Sequence, residues 1–482
     1  MDQEIVPDTP SGAYSLMLAD WQLIRTLRAG ARAVREAGER YLPKFEGEES
    51  EEYQRRVNNA PFSAHYEDAT RTLAAKPFSK EVKLQGTVPP DITAWAENID
   101  YAGHNLHGIA RTLFDEAVHL GLTYIYVDHT QTGDASSLGE ERRLGARPYF
   151  RVIPADDMLA IYTGIRGGQT YIRQIRFRDN ETTIDGLKEI VVERIRQVDD
   201  IEGAITATLY TKGEDGWKSS APEEIKGAKL TSIPVVPVVF GLPLYGPYSV
   251  KPPMIDLGWK QIEHYQHASR LSNIFDYAGF PMLQAEGMAP AMVADANGEM
   301  VPAKIAVGPR SVLYSAPAQQ GDRPKWSFLE PDARTIKEVR EHLKDLEGEM
   351  RTLGLQPQMP SVGMQNMAAT TSAINSARTH SLVQAWALTL KDCLEQAFVF
   401  MAQWVGLPET TEVDVFTDFS AEVLKDADEK VLLEARTLGY ISWETWADEM
   451  QRRDLLGPAF DKAAERDRLE NDDPLGMGKG DE

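Results

Sequence analysis

The sequence predicts an α+β fold, and three observations carry that prediction. Strand-like segments follow one another between Leu122 and Phe240 with no helix-length segment among them. That pattern favours antiparallel meanders over a parallel, doubly wound sheet. A helix, a small β-rich stretch and a second, charged helix then occupy residues 252–354. Finally, about Ala369 to Val405 carries neither proline nor glycine, room for a helix of ~55 Å at ~1.5 Å per residue. The 482 residues, 42% of them hydrophobic, exceed one ordinary core and suffice for roughly three of ~150 residues.

In chain order, Leu16 to Tyr41 predicts a helix, with Leu16, Leu23, Leu27 and Val34 near helical spacing and Pro43 ending it. An acidic loop, EGEESEE, follows. Tyr53 to Ala75 predicts a second helix interrupted at Pro61, and Asn105 to Leu120 a third, stopped by Gly121. Leu122 to His129 alternates and is rich in aromatic and β-branched residues, which predicts a strand. Thr130 to Ala146 reads as a polar loop. Further strands are expected at Tyr149 to Ile153, Tyr171 to Arg178, Ile190 to Val198, Ala204 to Thr211 and Val235 to Phe240. Met254 to Tyr277 predicts a helix whose polar residues Lys260, Glu263, His264, His267, Arg270 and Asn273 surround its circumference, so it needs neighbours on several sides. Phe280 to Pro331 reads as short strands and turns. Asp332 to Leu353 reads as a helix carrying the i,i+4 pairs Lys337–Glu341 and Glu347–Arg351, stopped by Gly354. Leu355 to Met367 reads as an uncharged loop with glutamine, asparagine and methionine. In the long helix, Val383, Trp386, Leu390, Leu394, Ala397, Met401 and Trp404 form one stripe that predicts a buried face. A short strand (EVDVFTDF) and short acidic helices follow, and the tail from Asn471 is expected to be disordered.

Charge and cysteine content exclude several functions. Lys plus Arg number 51 and Asp plus Glu 74, a net charge of −23. Sequence-specific DNA-binding proteins present basic patches instead. The single cysteine, Cys393, forms no internal disulfide and supports no Cys-based zinc cluster. The acidic start MDQEIVPDTP holds no apolar stretch, and no window of ~18 apolar residues exists, so neither a signal peptide nor a spanning helix is expected. No GxxxxGK[ST], HExxH or GxSxG motif is present, and Gly476 to Gly480 lacks the strand and helix that a phosphate loop needs. His104/His107 and His264/His267 each sit at i,i+3 and could share a helix face as metal ligands. Ordinary polar helix positions account for them better, since two further ligands are missing. Asp156-Asp157 and Asp199-Asp200 are adjacent carboxylates, which strands and turns explain without catalysis. The reading is of a protein that is not an enzyme, with no cofactor or metal expected.

The order of elements resembles the portal proteins of tailed bacteriophages. Local phrases support the resemblance: YLPKFEGEESEEYQRRVNNAPF from Tyr41, PPMIDLGWKQIEHYQHASRLSNIFDYAGFPML from Pro252, EGEMRTLGLQP from Glu347, and LGYISWETWADEMQRRDLL from Leu438. The resemblance covers most of the chain, and 130–227 is assigned from β texture alone. It implies an N-terminal wing over 1–251, stem helices over 252–279 and 332–354, a clip over 280–331 and a tunnel loop over 355–368. A long wing helix with its return strand would take 369–419 and a helical crown 420–471, leaving 472–482 as the tail. It further implies a ring, usually of twelve copies, at one capsid vertex, assembled in the host bacterial cytoplasm and carried in the virion. Double-stranded DNA would pass non-specifically through its channel. Implied partners are the large terminase subunit, a head–tail adaptor, and the major capsid and scaffolding proteins, with no membrane. The implied channel residues are Gln356, Gln358, Met359, Ser361, Met364, Gln365 and Asn366 of the tunnel loop. The implied clip partner surface is Asp295, Asn297, Glu299, Lys304 and Arg310.

The residues are compatible with that implication. An acidic chain does not grip a phosphate backbone. The 355–367 loop offers only neutral polar and soft apolar groups. Alternating charge on the Asp332 to Leu353 helix suits pairing with copies of itself. The alternatives are another structural head–tail connector without a packaging role and, more remotely, a cytosolic hydrolase whose site carries no recognised motif.

Overall fold

The computed structural model describes residues 6–130, 145–278, 282–288, 292–294, 300–302, 312–315, 325–329, 333–354, 365–417, 419, 433–452, 456 and 460–471. Helix α1 (Gly12–Ala29) begins at Ser11, whose side chain accepts from Tyr14 N, and its face Tyr14, Met17, Trp21, Ile24 and Leu27 is buried. The single helix expected to Tyr41 is broken at Gly30, which takes φ 82° and restarts the chain as α2 (Ala31–Glu36). Helices α3 (Ser50–Asn59) and α4 (His65–Ala75) flank the interruption predicted at Pro61. Strand β1 (Lys83–Gly86) and helix α5 (Pro90–Ala96) were not expected; both are too short to set a period. Helix α6 (Leu106–Leu120) runs from an Asn105 cap to Gly121 at φ 78°. A side chain at Gly121 would be strained, since φ is positive and a Cβ there would lie 3.0 Å from Pro252 Cα.

The strands that follow are β2 (Leu122–His129), β3 (Pro148–Pro154), β4 (Met158–Arg166), β5 (Gln169–Arg178), β6 (Glu181–Asp185), β7 (Lys188–Val192), β8 (Arg194–Ile201), β9 (Ala204–Gly213), β10 (Gly216–Ser219), β11 (Glu223–Glu224) and β12 (Val235–Val239). Strands β6, β10 and β11 were not expected, and two further points depart from expectation. The Ile190 to Val198 segment divides between β7 and β8, and β4 was missed because two register irregularities break its alternation. The pairings are antiparallel: one sheet runs β10-β9-β8-β5-β4, with β11 on β9, and another runs β12-β2-β3. The expected meander is therefore observed. Of the polar loop expected at 130–146, residues 131–144 lie outside the described residues.

After the short pair β13 (Leu242–Pro243) and β14 (Val250–Lys251) come helix α7 (Ile255–Ala278) and strands β15 (Met282–Glu286), β16 (Met292–Ala294), β17 (Met300–Pro302), β18 (Val312–Ser315) and β19 (Lys325–Leu329). Strand β15 pairs parallel with β18 and antiparallel with β19, and β16 pairs with β17. Helix α8 (Ala333–Leu353) follows, and then α9 (Gln365–Val405), 41 residues long. Helix α9 begins four positions before the expected Ala369, so Gln365 and Asn366, expected in a loop, are helical. Neither residue is a helix breaker, and no proline or glycine separates them from the helix that follows. Strand β20 (Thr411–Asp414) returns to pair with β1, and α10 (Trp443–Arg452) and α11 (Lys462–Asn471) complete the described chain.

The core forms where α6 and α9 meet the β12-β2-β3 sheet. Val127 and Phe150 are register partners and share a sheet face, on which Phe150 meets Phe398 of α9 at 5.2 Å between centroids. Adjacent Tyr126 points the other way and meets Phe177 of β5 at 5.5 Å. Both faces of β2 are thus covered by this chain. Trp386 of α9 stacks on Phe240 at 5.5 Å and 9° and meets Phe114 of α6 edge-on. The expected stripe Val383, Trp386, Leu390, Leu394, Ala397 and Met401 is buried, while Trp404 is half-buried and donates to Val127 O at 2.9 Å. Among the described residues, no helix is long and apolar enough to cross a membrane.

Candidate functional site

The helix pair α7–α8 is held between the body and the β15–β19 strands. Helix α7 explains its own polarity: its polar side chains meet different partners on different sides. Gln261 accepts from Tyr66 N of α4, Gln266 donates to Tyr41 O at 2.9 Å, and Lys260 bridges Glu263 (3.0 Å) and Glu349 of α8 (2.9 Å). Its apolar residues Ile255, Leu257, Ile262 and Tyr265 are buried. Gly258 lets α1 approach, since a Cβ there would lie 3.2 Å from Leu27 Cδ1.

Helix α8 is narrower in its contacts. Among the described residues, Leu343, Leu346 and Met350 are its buried ones, at helical spacing on one stripe. Around them the helix carries five Lys/Arg (Arg334, Lys337, Arg340, Lys344, Arg351) and five Asp/Glu (Glu338, Glu341, Asp345, Glu347, Glu349), so its net charge is 5 − 5 = 0. The expected Lys337–Glu341 pair is present at 3.8 Å and exposed. Glu347 instead turns toward His264 Nε2, at 3.7 Å. Gly354 ends the helix through packing: a Cβ would sit 2.9 Å from Ala69 Cβ. Three large apolar side chains on the pair stay open, Trp259 at 50%, Phe275 at 43% and Leu353 at 38% exposure.

The histidines separate. His104 pairs with Asp100 at 2.6 Å at the surface, while His107 Nδ1 accepts from Val82 N and its ring meets Phe78. They do not converge. His264 and His267 also part company. His264 lies with His65 and Glu347, and His267 with Glu263 and His342, each set having ligand atoms within 4.8 Å of one another. Sequence spacing missed both sets because each draws residues from α7 and α8 together, and the first adds α4. Burial, then His65, lowers the His264 pKa, against which Glu347 acts. Burial, then Arg270 and His342, lowers that of His267.

Several other titratable groups are paired. Arg25 grips Asp156 (2.8 Å) and Glu116 (2.8 Å), and Asp157 lies 3.5 Å from Arg178. Asp200 is fully buried against Arg166 at 2.6 Å, and Asp199 accepts from Gln197 at 2.8 Å. The adjacent carboxylates are thus cross-links between strands and helices. A cavity of about 400 Å³ is lined by Tyr101, Asp128, His129, Thr130, Tyr149 and Arg196. Its carboxylate is occupied: Asp128 accepts from Arg196 at 2.8 Å and from Tyr149 at 3.2 Å. Burial, then Asp128, pushes the Tyr149 hydroxyl up to about 12. The His129 ring stacks against Trp404. Burial pushes the Cys393 thiol up to about 12, so it stays protonated near neutrality.

Of the channel residues that the resemblance implied, Gln356, Gln358, Met359, Ser361 and Met364 lie outside the described residues, and Gln365 and Asn366 form the first turn of α9. The implied clip residues Asp295, Asn297, Glu299, Lys304 and Arg310 also lie outside them, although β16 and β17 bracket the first three.

Residues 253–405 match a family model described as a domain of unknown function, DUF4055. Its bounds run from just before α7 to the end of α9. No protein of curated function matches the chain. Among solved structures, a chain from the neck of a native GTA particle computed with C12 symmetry matches at 12% identity, over 79% of this chain and 87% of that one, with a TM-score of 0.38. A chain from the neck of an empty GTA particle computed with C6 symmetry matches at 13% identity, over 82% and 90%, with a TM-score of 0.42. At these values neither likeness carries an argument about fold or function.

Proposed function

We propose that the chain is the subunit of a portal-type ring at a capsid vertex, a non-enzymatic conduit for double-stranded DNA. The observation that carries this reading is the run α7, a small β unit, α8, then the 41-residue α9. That is the order stem, clip, stem and long wing helix that the sequence resemblance implied. Helix α8 adds a physical reason. Its zero net charge, within a chain of −23, neither grips a passing phosphate backbone nor repels identical neighbours in a ring. Alternating signs let it pair with its copies instead. The exposed Trp259, Phe275 and Leu353 are apolar contacts left for those copies.

On this reading, twelve copies form the ring in the virion, and the 280–331 unit meets the large terminase subunit and later the head–tail adaptor. Capsid and scaffolding proteins meet the wing. The segment 355–364 and the first turn of α9 line the channel with Gln356, Gln358, Met359, Ser361, Met364, Gln365 and Asn366. Shortening residues 356–364 is expected to leave ring assembly intact and to impair packaging or retention of DNA. Normal packaging of full-length genomes by that variant would remove the channel role of the segment.

A further inference from the structure

One group on the α4–α7–α8 junction has donor atoms and no assigned task. His65 is the first residue of α4, His264 lies on α7 and Glu347 on α8. One ligand atom from each lies within 4.8 Å of the others. His65 and His264 meet edge-on, with ring centroids 5.4 Å apart. His65 Nε2 is buried without a hydrogen-bond partner. A buried ring nitrogen left unpaired costs desolvation energy unless something accepts its lone pair or its proton. Among the described residues, Glu347 has no closer basic partner than His264 Nε2, 3.7 Å away. His264 itself is buried.

We propose that His65, His264 and Glu347 bind a divalent transition-metal ion of the zinc class and thereby clamp the α7–α8 pair to α4. Two imidazoles and a carboxylate suit such an ion, with a fourth position left for water. Donors about 2.0–2.2 Å from one tetrahedral ion lie about 3.4 Å apart. An ion would draw these ligand atoms, now within 4.8 Å of one another, closer together on three helices that already pack against each other. The neighbouring set Glu263, His267 and His342 is the weaker candidate, since Glu263 is already paired with Lys260 at 3.0 Å and His342 is exposed. The inference is independent of the ring reading: it concerns a junction within one chain.

The test uses the full-length protein, stripped with chelator and titrated with Zn²⁺ alone. One tight equivalent per chain is expected, with a rise in melting temperature on binding. Loss of a supporting outer-shell group typically weakens metal affinity about 10–100-fold, so loss of a ligand should cost at least about tenfold. His65→Ala and Glu347→Gln should each do so, and His342→Ala should not. Glu347→Gln, at a half-exposed position, also guards against misfolding: it should keep the metal-free melting temperature and lose the Zn²⁺-induced rise. Absence of Zn²⁺ binding, unchanged affinity in His65→Ala and Glu347→Gln, or loss in His342→Ala alone would each overturn the proposal.

Discussion

In the β12-β2-β3 sheet both faces are covered by this chain, by α6 and α9 on one side and by β5 on the other. In α8, among the described residues, Leu343, Leu346 and Met350 are buried, and most of its charged side chains are open. The first arrangement completes itself. The second, with its partner α7, leaves Trp259, Phe275 and Leu353 exposed beside alternating charges. A helix packed on one stripe while its other faces carry both signs gains most from neighbours of its own kind. The body also holds buried charges in closed pairs, such as Arg56 with Glu48, whose side chains are 4% and 8% exposed and 2.7 Å apart. The α7–α8 pair carries charges at the surface, as in Lys337–Glu341.

The sharpest way to break this contrast is to damage the body. Trp386→Ala would empty the space between Phe240 and Phe114, and a cost of about 3–5 kcal/mol is expected in chemical denaturation. Glu48→Gln should cost a comparable 3–5 kcal/mol or so, because Arg56 would remain charged and buried. Arg56, and then burial in the opposite sense, set the Glu48 pKa, which is lowered overall. The stability this carboxylate supplies is therefore present above its unfolded pKa and lost as pH falls through the folded value. Gly354→Ala tests the seam between the body and the α7–α8 pair. Its Cβ would press on Ala69, and about 1–3 kcal/mol is expected to be lost.

Acidification should loosen the same seam by a smaller amount. His264 and His267 both have pKa values lowered from 6.5. The unfolded chain then binds more protons than the folded one just below that value, so stability falls as pH drops through about 6.5 and levels off below the folded pKa values. Melting temperatures across that window should show the loss, and His264→Asn with His267→Asn should flatten it. Least of all, Trp259→Ala and Phe275→Ala should change the stability of the isolated chain by no more than about 0.5 kcal/mol. They should nonetheless weaken self-association, read by sedimentation. A large stability loss with unchanged association would invert the contrast.

Local signals made much of this legible. Asn105 and Gly121 delimit α6, the aromatic and β-branched run predicts β2, and the absence of breakers predicts α9. Strand β4 was hidden because its bulges shift the period of its side chains. The α1–α2 break rests on one glycine that spacing alone read through. The histidine groups were illegible for a deeper reason. His65, His264 and Glu347 lie far apart in the chain, so only tertiary packing unites them. The i,i+3 spacing of His264 and His267 suggested a shared site, whereas each turns to a different partner set.

The most direct measurement is electron microscopy of the purified protein together with its mass in solution. The account predicts rings with an axial hole and a mass about twelve times 53.8 kDa. A closed dimer without a channel, homogeneous across buffers, would contradict it.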